Sequence, residues 1–384
     1  SFKCRRAVYP VNEQQVLSRL RQLNESEIFY RNYRLAKASG AGFDEYLEQI
    51  DRKKVYQENL LVPEWKDTIP PEYLEDWYFS ADRREGIHVF KHNCYTPAIP
   101  HHHNFFEMFF VLEGHCIHHV GENTAVLHAG DLCLIQPKVP HSLDVNDESI
   151  IIDVLIRRST FRQYFYSILQ GDNVLSNFFM STLYSKSGID YLLFHAQDDP
   201  DLHYAFIDLC GETFDQEAYY TVLINAIVTR VFVLLLRRYM SSCELPKDKP
   251  ADSEIASTLA RYLQANAAGV TLARLAEDFH YSPEYASRLI KRSTGQTFIQ
   301  LLTSIRLENA KQLLRDTTLS VMDIALQVGY DSSEHFIRTF RKHTGSTPSE
   351  YRHLCYKSRP SSQQDSHQSM PDRGCRTGTE KSVK

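Results

Sequence analysis

Between Ile255 and Tyr351 the chain repeats itself, and this constrains its fold more than any other feature. Leu272, Leu275, Ala276, Phe279 and Tyr281 recur 49 residues later as Val321, Ile324, Ala325, Val328 and Tyr330. Past the turn the offset becomes 50. Arg288, Ile290, Thr294, Gly295 and Thr297 recur as Arg338, Phe340, Thr344, Gly345 and Thr347. A one-residue shift inside a turn is what two copies of one supersecondary unit tolerate. In each copy the apolar residues fall at i, i+3, i+4 and i+7, the stripe of a helix with one buried face. Thr271, Ser282, Ser320 and Ser332 stand where N-caps are needed, Pro283 suits a first helical position, and Gly295 and Gly345 suit left-handed stops. Asp323, three residues after Ser320, is a weaker relative of the capping box. The pattern predicts helix, tight turn, helix, twice.

In such a unit the second helix enters the DNA major groove and its N-terminal residues face base edges. The outward positions are Glu284, Ser287, Arg288, Lys291 and Arg292 in the first copy. In the second they are Ser333, Glu334, Ile337, Arg338, Arg341 and Lys342. Arg288 and Arg338 suit guanine, whose O6 and N7 a guanidinium bonds together. Lys291, Arg292, Arg341 and Lys342 suit phosphates. The helix from Phe298 to Leu314 is expected to hold the copies apart, with the reading helices about 34 Å from one another along one face of the duplex. The competing reading is an ordinary helical bundle, which the nearly balanced charge of 251–356 favours. Two copies at a fixed offset with matching Gly and Arg weigh against it.

The run from Gly329 through Asp331, Ser332, Glu334, His335, Phe336, Arg338, Phe340 and Arg341 to Gly345, then Thr347-Pro348 and Tyr351-Arg352, resembles the signature of AraC-type transcription regulators. Ile324-Ala325 and Val328-Gly329 match as well. The resemblance implies a double helix-turn-helix that binds double-stranded promoter DNA, with a small-molecule effector and RNA polymerase as further partners. Ile290 and Ile337 depart from the family pattern, and Ile337 exchanges a polar base contact for a thymine-methyl contact.

Upstream the character changes. Short β-branched and aromatic runs, separated by Gly114, Gly121 and Gly130, cover Ile87–Phe90, Phe105–Leu112, Cys116–Val120, Leu132–Ile135 and Ser149–Ile156. That spacing predicts a small barrel or sandwich. His101, His103 and Glu107 share parity on an extended strand and so point to one face. With Gly114 they resemble the first motif of a cupin barrel, and Gly130-Asp131 through His141 resembles the second, with Lys138 where the glycine belongs. His101, His103, Phe105, Glu107 and His141 are the expected ligand-binding residues. The cofactor question stays open. His101, His103, Glu107 and His141 suit a divalent metal, or serve a metal-free ligand site or barrel mouth. His102, His115, His118 and His119 are expected at the surface. Phe105, Phe109, Trp77 and Tyr78 are the expected pocket walls. Such a pocket suits a sugar, but equally a bile acid, an amino acid or an aromatic acid.

The expected fold class is α+β and multidomain: an N-terminal cupin-like β-barrel with flanking helices, then an all-α double helix-turn-helix. The boundaries run 1–85 for an N-terminal helical extension, 86–158 for the barrel and 159–245 for a helical dimerisation region. A linker spans Leu245–Asp252, the DNA-binding domain 251–356 and a disordered tail 357–384. Phe161–Leu169 and Asp201–Met240 read as helices. Val222–Leu236 is too short and too polar to cross a bilayer. Its wide apolar face suits a homodimer interface. The net charge of −5 excludes a polycation, and the eight scattered cysteines suit free thiols in a reducing cytoplasm. Ser1 to Pro10 carry basic residues with no apolar run behind them, so no signal peptide is expected. The resulting expectation is a DNA-binding regulator, not an enzyme; the alternative is a metal-dependent cupin enzyme with an appended helix-turn-helix.

Overall fold

The computed structural model describes residues 12–40, 42–70, 72–79, 86–165, 173–184, 189–246 and 251–357. The tail expected at 357–384, apart from Lys357, the middle of the linker at 247–250, Cys4 and Cys375 lie outside the described residues. The chain divides into two compact units, 1–305 and 306–384.

The first unit opens with helices α1 (Glu13–Leu20), α2 (Glu25–Ser39), α3 (Phe43–Gln49), α4 (Arg52–Gln57) and α5 (Glu75–Tyr78). Asn24 caps α2 and Glu27 returns to the Asn24 backbone, a full capping box. Among the described residues eight antiparallel strands follow: β1 (Ile87–Lys91), β2 (Phe106–Glu113), β3 (His115–Val120), β4 (Asn123–His128), β5 (Asp131–Ile135), β6 (His141–Asp144), β7 (Ile150–Ile156) and β8 (Tyr191–His195). They form one five-stranded sheet, β1-β7-β2-β5-β8, and one three-stranded sheet, β4-β3-β6.

The five-stranded sheet is buried on both faces. Phe109, Val111, Cys133, Ile135 and Ile151 pack between the sheets with Cys116, Leu127 and Leu143. Phe106, Met108, Phe110, Leu132, Leu134 and Ile152 point the other way, into a helical layer. This is why β2 and β7 read as nearly continuous apolar runs, broken within the strand only by Glu107 and Asp153, instead of alternating. Strands β4, β6 and β8 lie outside the runs read from the sequence. β4 is an edge strand with Val126 exposed, and β6 is only four residues long. At the β4–β5 turn Gly130 has φ +93, and a Cβ there would lie 2.6 Å from Gln197 Cα, so only glycine fits.

The helical layer contains α6 (Arg158–Tyr164), α7 (Val174–Tyr184), α8 (Pro200–Asp215) and α9 (Tyr220–Arg238). The single helix expected over 201–240 is therefore two, separated where Gln216 and Tyr219 take left-handed backbone. Helix α9 runs 19 residues and is long and apolar enough to cross a membrane by length and composition, contrary to the expectation from 222–236. A core helix passes the same test. Ile224, Ile227, Val228, Val231, Phe232 and Leu235 are buried in the core of this unit, while Val222, Leu223 and Val233 are exposed.

Helices α10 (Ala251–Ala265), α11 (Leu272–Asp278) and α12 (Pro283–Thr294), with the start of α13 (Phe298–Asp316), complete the first unit. Leu259, Leu263, Leu275, Leu289, Ile290 and Leu301 belong to the same core as Phe178 and Phe206. The domain edge expected at 245–252 is thus bridged by packing. The second unit holds the rest of α13, then α14 (Val321–Gln327), α15 (Ser333–Thr344) and α16 (Pro348–Lys357). Its own core is Leu307, Ala310, Leu314, Ile324, Ala325, Val328, Tyr330, Phe336 and Phe340.

Candidate functional site

Two sites emerge, and the first is assembled by local chemistry visible in the sequence. In the helix-turn-helix copies the four expected caps all form. Thr271, Ser282, Ser320 and Ser332 accept the backbone N–H three residues on, at 3.2, 3.2, 3.1 and 3.3 Å. Asp323 accepts the Ser320 hydroxyl at 2.6 Å instead of reaching the cap backbone. Gly295 (φ +75) and Gly345 (φ +78) end α12 and α15. The turns also match: His280 (φ +55) and Gly329 (φ +96) hold equivalent left-handed positions. Tyr281 N–H donates to the Ala276 carbonyl, and Tyr330 N–H donates to the Ala325 carbonyl.

These constraints fix which side of each reading helix faces out. Glu284, Arg288, Lys291 and Arg292 of α12 are exposed and Ser287 is half-buried. On α15 Glu334, Arg338, Arg341 and Lys342 are exposed and Ser333 is half-buried. Ile337, expected to meet a thymine methyl, spends part of its surface on the Phe336–Phe340 core. Tyr281 and Tyr285 are exposed beside Arg288 with their rings 5.0 Å apart, and the sequence pattern alone does not single them out.

The second site is a cavity of about 260 Å³ between the sheets. His101 and His141 face one another across an isolated bridge, His103 stands beside them, and Glu107 comes from the start of β2. Each imidazole presents Nδ1 to a backbone carbonyl: His101 to Ile99 at 3.0 Å, His103 to Phe105 at 2.8 Å, His141 to Val139 at 2.9 Å. A carbonyl only accepts, so every Nδ1 carries its proton and every Nε2 turns inward. His141 Nε2 lies 3.2 Å, and His103 Nε2 2.8 Å, from Glu107 Oε2. The His103 contact is a buried ion-pair contact that lacks hydrogen-bond geometry.

Burial raises the Glu107 carboxyl, but His103 and His141 outweigh it and hold Glu107 well below its ordinary value. Burial lowers His101 to about 4, helped by the charge of His141. Burial also lowers His141, but Glu107 more than reverses this and raises it. His101, Glu107 and His141 place their ligand atoms within 4.8 Å of one another, three of the four residues expected of a metal site; His103 is outside that group. Lys138, the residue in place of the motif's glycine, has φ +69, and its N–H donates to the His103 carbonyl at 2.7 Å. The backbone shape survives the substitution.

The cavity differs from expectation in three respects. Tyr78, Phe105 and Phe109 line it, but Trp77 does not and is exposed. His118, expected at the surface, is buried against Phe109, Tyr191 and His141, and burial lowers it to about 3. Its strand β3 alternates, and the sequence does not show which parity faces in. His102 is half-exposed 3.9 Å from Glu72, and His115 is exposed. The third difference is the extension, to which the sequence assigns no role: Tyr30, Asn59, Leu61, Tyr73 and Tyr78 close one wall. Glu27 anchors it through Lys91 (2.6 Å) and the Cys94 N–H, and Arg34 reaches the Tyr95 and Thr96 carbonyls. Also in the wall, His92 pairs with Asp153 at 2.9 Å, leaving Asp153 Oδ1 buried without a partner.

Comparison with known proteins adds to this geometry. A family described as "Helix-turn-helix domain" matches residues 275–353, and one described as "Cupin domain" matches 87–155. The raffinose operon transcriptional regulatory protein RafR of Pediococcus pentosaceus is 36% identical over 132 residues, 34% of this chain and 47% of RafR. The bifunctional transcriptional activator/DNA repair enzyme AdaA of Bacillus subtilis is 33% identical over 113 residues, 29% of this chain and 54% of AdaA. These alignments span about half the length of each relative. The HTH-type transcriptional activator RhaR of Shigella dysenteriae is 22% identical over 285 residues, 73% of this chain and 96% of RhaR. The chain therefore carries a cupin domain followed by a helix-turn-helix domain of the AraC type.

Proposed function

We propose that the chain is a sequence-specific DNA-binding transcription regulator whose barrel senses a small molecule. The observation that carries this reading is the equivalent placement of Arg288 and Arg338, both exposed on reading helices with matching caps and stops. Each reads guanine, and the neighbouring Lys and Arg hold phosphates. The protein works in the cytoplasm, where promoter DNA and RNA polymerase are. Ligand acts by binding two arrangements of the protein unequally. A sugar or other hydroxylated molecule fits the cavity, because Asp153 Oδ1 lacks a donor and the Tyr73 and Tyr78 rings line the wall. The exposed Val222, Leu223 and Val233 of α9 pair two copies. The barrel serves as a sensor, not as an enzyme.

Fluorescence anisotropy on a cognate duplex tests the DNA reading. Arg288→Ala and Arg338→Ala each cost about 1–3 kcal/mol of discrimination, whereas Lys342→Ala weakens all duplexes alike and flattens the salt dependence. Full sequence specificity in both Arg variants would remove their assigned role.

A second reading of the cavity is favoured by the inward Nε2 atoms of His101, His103 and His141 around the Glu107 carboxylate. His101, His103, Glu107 and His141 suit a divalent transition metal, with backbone carbonyls already fixing the imidazole tautomers. Bound there, a metal would order the barrel mouth and present a Lewis-acidic face to the effector.

A further inference from the structure

Neighbouring residues of β2 face opposite ways. Glu107 points into the cavity. Phe106 points into the helical layer, where its ring meets Phe179 of α7 edge-on at 5.0 Å. Across the sheet Glu107 is paired with Ile135, and the next residue, Gln136, is buried. The Gln136 side-chain amide donates to the Phe178 carbonyl of α7 at 2.6 Å. One residue back, the Asn177 carbonyl accepts the hydroxyl of Ser257, a fully buried residue of α10, at 3.1 Å. Helix α10 packs in turn against α12, the first reading helix.

We infer that Gln136, Asn177 and Ser257 are positioning residues that carry the state of the cavity to the first helix-turn-helix. The Gln136 and Ser257 links are hydrogen bonds, the first buried and the second part-buried, and such a bond is directional and weakens steeply when its partner shifts. The interface also contains a cost. Asn177 Oδ1 is buried and has no hydrogen-bond partner, so the seated arrangement of α7 against α10 is held below its best energy. That narrows the gap to a second arrangement in which α10 is released, and a bistable element is what two sites need if they are to communicate. The effect on DNA affinity rests on the proposed function; the coupling from cavity to α10 does not.

Hydrogen exchange on the full chain tests the coupling without DNA. Glu107→Gln perturbs the cavity and is expected to change exchange across 251–265 and 283–294 on the order of tenfold, a coupling of ordinary size. In a Ser257→Ala or Gln136→Leu background the same substitution should leave those segments unchanged, because the route is already cut. Thermal melts identify any variant that fails to fold, and the two backgrounds break the route at independent points. Asn177→Leu, which removes the unpartnered acceptor, should slow exchange in 251–265. Effects of Glu107→Gln that simply add to those of both backgrounds, or that never reach 251–265, would overturn the inference. Intact exchange coupling with no change in affinity for duplex DNA would instead count against the DNA-binding role alone.

Discussion

Phe336→Ala should unfold the second helix-turn-helix while leaving the first unit intact. Phe336 is fully buried, with its ring centroid 5.6 Å from Phe340 and 5.3 Å from Tyr330. Truncating a buried Phe costs about 3–5 kcal/mol, from lost transfer energy and the cavity left behind. A unit with roughly 50 ordered residues holds about 3–8 kcal/mol in all. The substitution therefore consumes most of that stability, and exchange in α14 and α15 should accelerate by roughly two to three and a half orders of magnitude. Segments of β2 and β7, in the first unit's separate core, should keep wild-type protection. Hydrogen exchange with mass spectrometry reads both in one experiment. Protection of α15 within about threefold of wild type would show that this small aromatic core is not what holds the reading helix.

Three further outcomes follow from the geometry. Asp199 caps α8 and accepts bonds from Tyr239 and Arg238. Burial raises its carboxyl, but those partners hold it below its ordinary value. A depressed carboxylate contributes stability above the ordinary carboxylate range and loses it as pH falls through the folded value. Asp199→Ala should thus cost about 1–2 kcal/mol at pH 7 and progressively less in acid; a pH-independent loss would refute the ionic part. Lys138→Gly relieves a left-handed backbone and should stabilise by up to about 1 kcal/mol, whereas a clear drop in thermal midpoint would show that the Lys138 side chain matters. Zinc at about a hundredfold excess over its dissociation constant should stabilise the wild type by about 2.7 kcal/mol and leave His141→Ala unmoved. Equal shifts in both proteins would rule out the barrel site.

Legibility in the sequence divides along physical lines. Caps, stops and turn residues act within a few positions, so Thr271, Ser282, Gly295 and their second-copy partners are legible from the chain alone. The histidine motif is legible as a spacing, but one strand's parity does not hold it: His101 and His103 sit in isolated bridges before a bend at Asn104 and Phe105, and Glu107 alone lies on β2. Contacts made over long separations are not. His118 is buried only because β3 lies over Phe109 and Tyr191. Tyr30 and Tyr73 reach the cavity only because Glu27 and Arg34 dock the extension on the barrel. The linker at 245–252 has the composition of a domain edge, yet Ser257 and Leu259 just beyond it join the core of the first unit. Strand β8 leaves no local signal because it follows a helix and pairs with β5, about 60 residues earlier in the chain.

The most direct test of the account is selection from a pool of random duplexes by the full chain, followed by sequencing. The account predicts an enriched bipartite motif whose two blocks lie about one helical turn apart, with the first block lost in Arg288→Ala and the second in Arg338→Ala. Enrichment no stronger than that of the double Arg variant would contradict it.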